Sequence, residues 1–428
     1  VYKRQVANRV IELYLQKKSE NGGWERQING ISNNEKAVLL LEKRTFKELL
    51  VDMELRNLQN NIVGQEASRL FARAEINMGV EAFRDSLYSL LKRNTFLNIK
   101  FENMLDTLGE ISRTDIRSLL GEWEKTTPLP FYSLGEPTLT KITNKGGEEF
   151  FVLKMLISNN SDYDGIIHMD IRKDGWWYQP LEDPRAKTKI EMPAHTSKEF
   201  VSVWEDQIRN VEINTMVSGN LPNIISQDIN NVKQERNKIV KDSIYILPES
   251  SFDLPGEIIV DNEDSTLFIL SAPPIVGLLP KWLDEVEETP FKYSGISWWR
   301  PPLQWTATTN DRYYGKYIRS AFVIKSGDGS QTATWKVPVP EVGQYDLYYH
   351  VFKDDELRWN NNLQGEYHFK VKYGSEVEDA YVNLRKANEG WEQLGSYYFD
   401  SDTVRVVLTD ECKLRSVTAD AVKIVKRY

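Results

Sequence analysis

The last forty residues constrain the fold of this chain most strongly, because their side chains alternate between apolar and polar with a period of two. The alternation runs through 390–399 (GWEQLGSYYF), 404–410 (VRVVLTD) and 417–426 (VTADAVKIVK). A period of two is typical of β-strands that bury one face only. The C-terminal part of the chain is therefore predicted to be built from half-buried strands.

The order of residues in this region is more specific than the alternation. A glycine–tryptophan pair is followed by leucine–glycine, an aromatic strand, and Ala-Asp-Ala-Val before a closing strand. Upstream, 258–268, 305–321 and 333–351 fit an opening strand, a small-residue segment and a central hairpin. Over roughly 256–428 the chain resembles the golvesin C-terminal-like domain, a non-catalytic β-sandwich appended to bacterial secreted enzymes such as xanthan lyases. The resemblance implies an accessory module.

Before about residue 130 the pattern is helical instead. Phe83, Leu87, Leu90 and Leu91 recur at i, i+4, i+7 and i+8, which places them on one helix face. Helices are predicted over 6–18, 34–59, 64–79 (which starts and stops on glycine), 80–94, 100–112 and 113–125. The prolines of TTPLP (126–130) end this region.

The chain is too long for a single core, and its pattern predicts a multidomain α plus all-β protein. A helical domain is expected over 1–130. Short strands at regular spacing predict an immunoglobulin-like β-sandwich over 131–228. The polar stretch 229–251 is expected to be a linker, and 252–428 the golvesin-like β-sandwich.

The order of the helices carries a second resemblance. A glycine opens one helix, GVEAF (79–83) starts the next, a Phe-led helix follows, and the last ends in a tryptophan and a Leu-Pro exit. Over roughly 35–130 this is similar to the helical end of the catalytic domain of gluzincin zinc aminopeptidases, the aminopeptidase N-like peptidases. The resemblance implies that 1–130 is the C-terminal part of such a domain.

The zinc site of that family is missing from this sequence. It needs H-E-x-x-H on a helix, because histidines at i and i+4 share a face. The four histidines are His168, His195, His350 and His368, and no two are four residues apart. Asn61 occupies the position of the family's oxyanion-stabilising tyrosine. We expect no catalytic residue, metal site or cofactor in this chain; zinc is expected only in an upstream part.

Composition excludes several other classes. The net charge is −9 without a long basic run, which argues against a nucleic-acid partner. Cys412 is the single cysteine, so an internal disulfide framework is excluded, and we expect a half-buried residue instead of a catalytic thiol. The longest apolar run, 267–282, is broken by prolines, so no membrane-spanning segment is predicted.

The N-terminal sequence, VYKRQVANRV, has neither an initiator methionine nor an apolar signal segment. We therefore expect a fragment whose true start lies upstream. The two resemblances place the whole protein in a bacterial cell envelope, on the periplasmic or extracellular side.

Two residue pairs suggest weaker metal-site hypotheses. His350 and His368 each lie in an alternating strand, and they would meet if those strands paired, although satisfied sheet histidines are favoured. Asp354 and Asp355 suit a calcium loop in residue type, but their spacing matches no established pattern.

Tryptophan is concentrated in the last domain, where seven of the twelve fall between 282 and 391. Aromatic faces stack on sugar rings, so the candidate ligand-binding residues are Trp298, Trp299, Trp305 and Trp359. The competing interpretation is that the 298–305 cluster packs a domain junction. Trp335 and Trp391 are expected to fill the core.

The leading functional hypothesis is a non-catalytic C-terminal part of an aminopeptidase-like envelope protein, with β-sandwich modules for packing or for binding a glycan or envelope component. A carbohydrate-binding accessory protein is the first alternative. The second is a zinc metallopeptidase whose catalytic half lies upstream.

Overall fold

A computed structural model of the chain describes residues 23–94, 100–112, 115, 125–144, 146–173, 179–181, 183–236, 240–248, 252, 256–271, 291–297, 300–353 and 365–427. These residues fall into two compact units. The first is described from Asn33 onward and ends at Phe252, and the second comprises Gly23–Ser32 and Asp253–Tyr428. Most of the regular structure is β-sheet, with few helices.

Helix α1 (Gly23–Asn29) belongs to the second unit. The helices of the first unit are α2 (Asn33–Lys43), α3 (Phe46–Val51), α4 (Gln59–Met78), α5 (Val80–Arg93) and α6 (Phe101–Ser112). Their apolar faces share one core, in which Phe83 and Leu87 are 1% exposed. The helical period therefore identified the buried face of α5. The helices predicted over 6–18 and 113–125 lie almost wholly outside the described residues.

Two helix boundaries differ from the sequence prediction. The stretch 34–59 is broken at Thr45, whose side chain accepts a hydrogen bond from Glu48 N (3.2 Å) while Glu48 Oε2 accepts one from Thr45 N (2.9 Å). This reciprocal capping box starts a new helix. Gly64 does not open a helix, because α4 already begins at Gln59. Gly79 does separate α4 from α5, at a φ of 83°.

Eleven strands of the first unit form two sheets that share a core. One sheet has the order β10-β2-β3-β7-β11 with β1 on β3, and the other has the order β5-β4-β8-β9 with β6 on β4. The strands are β1 (Tyr132–Leu134), β2 (Thr138–Thr143), β3 (Glu149–Asn159), β4 (Gly165–Lys173), β5 (Gln179–Pro180), β6 (Lys187–Met192), β7 (Thr196–Trp204), β8 (Ile208–Asn214), β9 (Ile224–Asp228), β10 (Val232–Arg236) and β11 (Ser243–Pro248). The immunoglobulin-like arrangement remains a prediction.

The segment 229–251, expected to be a linker, contains β10 and β11. Strand β10 pairs in parallel with β2, and β11 pairs antiparallel with β7. The linker interpretation is therefore corrected for these residues. Both strands lie at sheet edges, where a strand has one hydrogen-bonded neighbour only, so β10 tolerates the charges that made the segment resemble a linker.

The helices pack against this first sandwich through buried polar contacts. Glu35, 1% exposed, accepts a hydrogen bond from Asn223 N at 2.9 Å. Glu75 of α4 pairs with Lys189 of β6. Buried charges are costly unless they are paired, so these contacts hold the helices in one position on the sheet.

The described residues of the second unit form three sheets. Their orders are β12-β23-β17-β20, β13-β16-β21-β18-β19 and β14-β15-β22. The strands are β12 (Glu257–Val260), β13 (Phe268–Ser271), β14 (Thr306–Thr309), β15 (Ser320–Lys325), β16 (Thr332–Pro338), β17 (Gly343–Val351), β18 (Glu366–Tyr373), β19 (Glu376–Asn383), β20 (Gly390–Phe399), β21 (Thr403–Thr409), β22 (Ser416–Ala419) and β23 (Val422–Lys426). The alternating stretches 390–399 and 404–410 are confirmed as strands, whereas 417–426 is divided between β22 and β23, which belong to different sheets.

One large core lies between the four-stranded and five-stranded sheets. Trp335, 0% exposed, is the largest fully buried side chain. Its ring lies 5.3 Å from Phe268 and 6.1 Å from Tyr349, measured between centroids. The prediction that Trp335 fills the core is confirmed.

Candidate functional site

Three of the four tryptophans predicted to bind a ligand, Trp298, Trp299 and Trp359, lie outside the described residues. Trp305 is described: it is half-buried, packs against the core of the second unit, and has a buried indole nitrogen without a hydrogen-bond partner among the described residues. Trp305 therefore resembles a packing residue more than an open stacking platform.

Trp391 differs from its sequence prediction. It was expected in the core, but it is half-buried and lies opposite His350 in the β17–β20 register. In β17 the side chains of Tyr349 and Val351 are fully buried, and alternation directs His350 to the other face. Since directly opposed residues share a face, Trp391 lies with His350 on the outer face of the four-stranded sheet.

His350 and His368 do not meet. Strand β17 belongs to the four-stranded sheet, and β18 belongs to the five-stranded sheet. His368 lies between Asp379 (2.7 Å) and Glu411 (3.2 Å). Among the described residues no group of three or more His, Cys, Asp and Glu side chains is arranged to hold a metal ion.

Around His350 the structure assembles a group that we call the Asp420 cluster: Asp420, His350, Tyr314, Trp391 and Lys423. The ring centroids of Tyr314 and Trp391 are 5.0 Å apart, and that of His350 is 5.1 Å from Trp391 and 5.7 Å from Tyr314. All three rings are partly exposed. Their planes are inclined to one another by 59–77°, so they form an aromatic cluster that is partly open to solvent.

Asp420 lies beneath these rings, in the turn between β22 and β23, and is 0% exposed. Its Oδ2 lies 2.8 Å from His350 Nδ1, and both carboxylate oxygens accept from Tyr314 N at 3.2 Å. Its backbone oxygen accepts from Trp335 Nε1 at 3.2 Å. One buried residue thus fixes the imidazole, the Tyr314 loop and the core tryptophan.

Burial raises the pKa of Asp420 above its ordinary value, and the adjacent His350 opposes that shift. A second acid lies nearby: burial first, and then the Asp420 carboxylate, raise the pKa of Asp261 well above its usual range. The region beneath the rings therefore favours a positive or hydrogen-bond-donating neighbour. His350 supplies one.

The loop that presents Tyr314 has a tightly constrained backbone. At Gly315 an added Cβ would lie 1.8 Å from Ile318 O, so only glycine fits. Arg312 stacks on Phe352 (4.6 Å to the ring centroid) and donates to Lys353 O at 2.6 Å. These contacts hold Tyr314 beside Trp391.

Lys423 adds a positive charge to the same face. Its Nζ lies 4.9 Å from the centroid of Trp391 and 5.3 Å from that of Tyr348, and it is paired with Glu257 at 3.0 Å. Ammonium groups over aromatic faces are attracted to the negative ring face. The cluster therefore combines aromatic surface, an oriented imidazole and an ammonium group.

Sequence reasoning missed this cluster because the contacts depend on strand register. One signal was present: Asp420 is an acid between alanines in an otherwise apolar strand region, TADAV (418–422). A lone acid in such surroundings indicates a buried carboxylate with a partner.

Other candidate residues are accounted for by local contacts. The Nδ2 of Asn61 donates to Asn34 Oδ1 at 2.8 Å, so its amide links α4 to α2. Cys412 is a free, half-buried thiol whose pKa is raised by burial, as an unreactive cysteine would have.

A cavity of about 460 Å³ opens in the first sandwich. Arg185 stacks on Trp204 there and pairs with Asp183 at 2.6 Å, while Lys173 pairs with Asp206 at 3.0 Å. The charged groups that line this cavity therefore pair with one another.

Comparison with known proteins matches residues 301–426 to the Golvesin C-terminal domain. No curated protein matches the chain. Among solved structures, Bacteroides uniformis beta-glucuronidase is 12% identical with a TM-score of 0.20, and the match covers 74% of this chain and 32% of that one. Legionella pneumophila aminopeptidase A in complex with aspartic acid is 14% identical with a TM-score of 0.20, covering 43% of this chain and 22% of that one.

The chain thus spans about a third or less of the length of these two structures. Likeness at such TM-scores carries no argument about fold or function, so the aminopeptidase-like interpretation of the helices gains no support from it. The sequence match is different, because it covers residues 301–426 and includes all five residues of the Asp420 cluster. On the basis of this match, the chain contains a Golvesin C-terminal domain over residues 301–426.

Proposed function

We propose that the second unit is a non-catalytic accessory module that binds carbohydrate through the Asp420 cluster. The observation that carries the proposal is the partly exposed aromatic surface of Tyr314, His350 and Trp391, held by the buried Asp420. A Golvesin C-terminal domain suggests a secreted accessory β-sandwich module, which is the context in which glycan binding is useful.

The chemistry of the cluster suits a sugar. The apolar face of a pyranose ring packs on an aromatic face, while hydroxyl groups need hydrogen-bond partners. His350 has a second ring nitrogen in addition to the one that faces Asp420, and Lys423 carries donors beside Trp391. Because Asp420 already fixes the imidazole, little side-chain entropy is lost on binding.

Replacing Trp391 by alanine is expected to weaken glycan binding about tenfold or more, by analogy with aromatic–base stacking worth about 1–3 kcal/mol. A glycan array identifies the sugar, and calorimetric titration of the strongest hit measures the affinity. Tyr398→Ala is the matched control: it removes a 59% exposed aromatic ring from the same strand, β20. Its affinity should equal that of the unaltered chain.

The same titration separates the new site from the tryptophan set predicted from sequence. Alanine at Trp305 should leave the affinity unchanged, since that residue packs against the core. Loss of binding at Trp298, Trp299 or Trp359, with full binding by Trp391→Ala, would move the site away from the Asp420 cluster. If the unaltered chain gives no signal on the array, the module has a structural role and the glycan-binding proposal is wrong.

We further propose a location in the bacterial cell envelope, on the periplasmic or extracellular side. The support is the Golvesin C-terminal domain, which suggests a secreted module. No helix in the described part of the chain has the length and apolar character needed to cross a bilayer.

The helical part is proposed to be the C-terminal portion of an aminopeptidase-like domain. Its support is the succession of α4, Gly79, α5 and the Phe-led α6, which follows the order expected from sequence. In this proposal any zinc is bound by an upstream part, and the present chain neither binds catalytic zinc nor cleaves peptides.

Metal analysis and an aminopeptidase assay on amino-acid anilides test that proposal. The expected result for the 428-residue chain is substoichiometric zinc and no turnover above buffer. One zinc per chain, with turnover that a chelator abolishes, would contradict it and revive the metallopeptidase hypothesis.

A further inference from the structure

Strand β11 is an edge strand with an unusual surface. Among the described residues it pairs with β7 on one side and lies at the end of its sheet. Its four central residues are all apolar or aromatic and all exposed: Ile244 by 47%, Tyr245 by 51%, Ile246 by 72% and Leu247 by 39%. Since successive side chains point to opposite faces, both faces of this edge are apolar and open.

Edge strands normally carry features that prevent pairing with another chain, charged side chains above all. The opposite edge of this sheet, β10 (VKQER), follows that rule. So does β19 in the second unit, which carries Glu376, Glu378 and Asp379. Strand β11 (SIYILP) has no charge over its six residues. It therefore lacks the charged side chains that protect the other two edges, and Pro248 at its end is its one protective residue.

We propose that β11 pairs antiparallel with β11 of a second copy of this chain, joining the two sheets across a two-fold axis. An antiparallel pair of identical strands is self-complementary, and a strand without charges meets its copy without repulsion. Alternate residues of β11 direct N–H and C=O groups away from β7, and the second copy supplies partners for them. Ile244 and Ile246 gain cross-strand apolar neighbours.

The area buried between the two copies of β11 limits the affinity of the dimer. A six-residue strand pair buries less than the roughly 1,200 Å² of a stable interface, so the dimer is weak and forms only at high protein concentration. Each copy carries a net charge of −9, and the two copies repel each other. Raising the salt concentration screens that repulsion and strengthens apolar pairing, so the dimer should tighten with salt.

Sedimentation velocity over a concentration series up to about 200 µM, at low and high salt, tests the proposal with the full chain. The expected result is a monomer–dimer equilibrium that shifts toward dimer at high salt. Ile246→Lys should raise the Kd at least tenfold. Val377→Lys is the matched control, because it adds the same charge to a 57% exposed aliphatic position on another edge strand, and it should leave the Kd unchanged.

Ile246→Thr keeps a β-branched side chain and serves if the lysine variant fails to fold, as judged by circular dichroism. It should weaken the dimer in the same direction. A chain that stays monomeric at every concentration would overturn the proposal, as would a dimer that survives both Ile246 variants. Open-ended assembly without a distinct dimer would overturn it too, because a two-fold strand pair closes on itself.

Discussion

Replacing Trp335 by alanine is expected to lower the free energy of unfolding of the second unit by about 3–5 kcal/mol, the usual cost of truncating a buried aromatic side chain. Trp335 is 0% exposed and contacts Phe268 and Tyr349. Its indole also donates to Asp420 O at 3.2 Å, and that acceptor would lose its partner. Since domains are stable by about 5–15 kcal/mol, this is a large part of the total.

Differential scanning calorimetry of the full chain measures the effect. At about 2–4 °C per kcal/mol for a unit of this size, the transition assigned to the second unit should fall by roughly 10 °C. Tyr398→Ala, which removes an exposed ring from the same unit, should change it little. An unchanged transition in the Trp335 variant would mean that the core described around it is wrong.

Replacing Asp420 by alanine is expected to cost about 2–5 kcal/mol, because it leaves at least two partners without an acceptor and each buried unsatisfied group costs about 1–3 kcal/mol. The affected donors are His350 Nδ1 and Tyr314 N. Asp420→Asn should cost less, since an amide oxygen still accepts one of these hydrogen bonds. The same calorimetric transition, compared between the two variants, checks the prediction.

Comparing the stability lost by Asp420→Ala with that lost by Asp420→Asn shows whether the carboxylate organises the cluster. Equal stability of Asp420→Ala and the unaltered chain would show that the carboxylate does not organise the cluster. A larger loss for the asparagine variant than for the alanine variant would indicate that the site prefers an empty space to a hydrogen-bonding group, contrary to the contacts at Tyr314 and His350.

Much of the fold could be predicted from sequence, because the buried face of each helix or strand produces a periodic pattern of apolar residues in the local sequence. The period of two in 390–399 and the period of 3.6 around Phe83 follow from which face of each element is buried. The split at Thr45 was also readable, since Thr-x-x-Glu is a capping signature, but the apolar spacing around it suggested one continuous helix.

Edge strands and register could not be predicted in the same way. Strand β10 is polar and pairs in parallel with β2, some ninety residues earlier, so no local pattern marks it. The position of Trp391 depends on its register with His350, and a shift by one residue would turn it into the core. The Asp420 cluster is built from such non-local pairings, which is why it emerged only from the structure.

The response of individual tryptophan indoles to the glycan tests the position of the ligand site most directly. In a ¹H–¹⁵N correlation spectrum of the full chain, the indole Nε1–H signals of Trp391 and Trp335 can be assigned from the Trp391→Phe and Trp335→Phe variants. Titration with the strongest array hit should move the Trp391 signal saturably and leave the buried Trp335 signal nearly fixed. A saturable shift of other indoles with Trp391 unmoved would contradict the assignment of the ligand site to the Asp420 cluster.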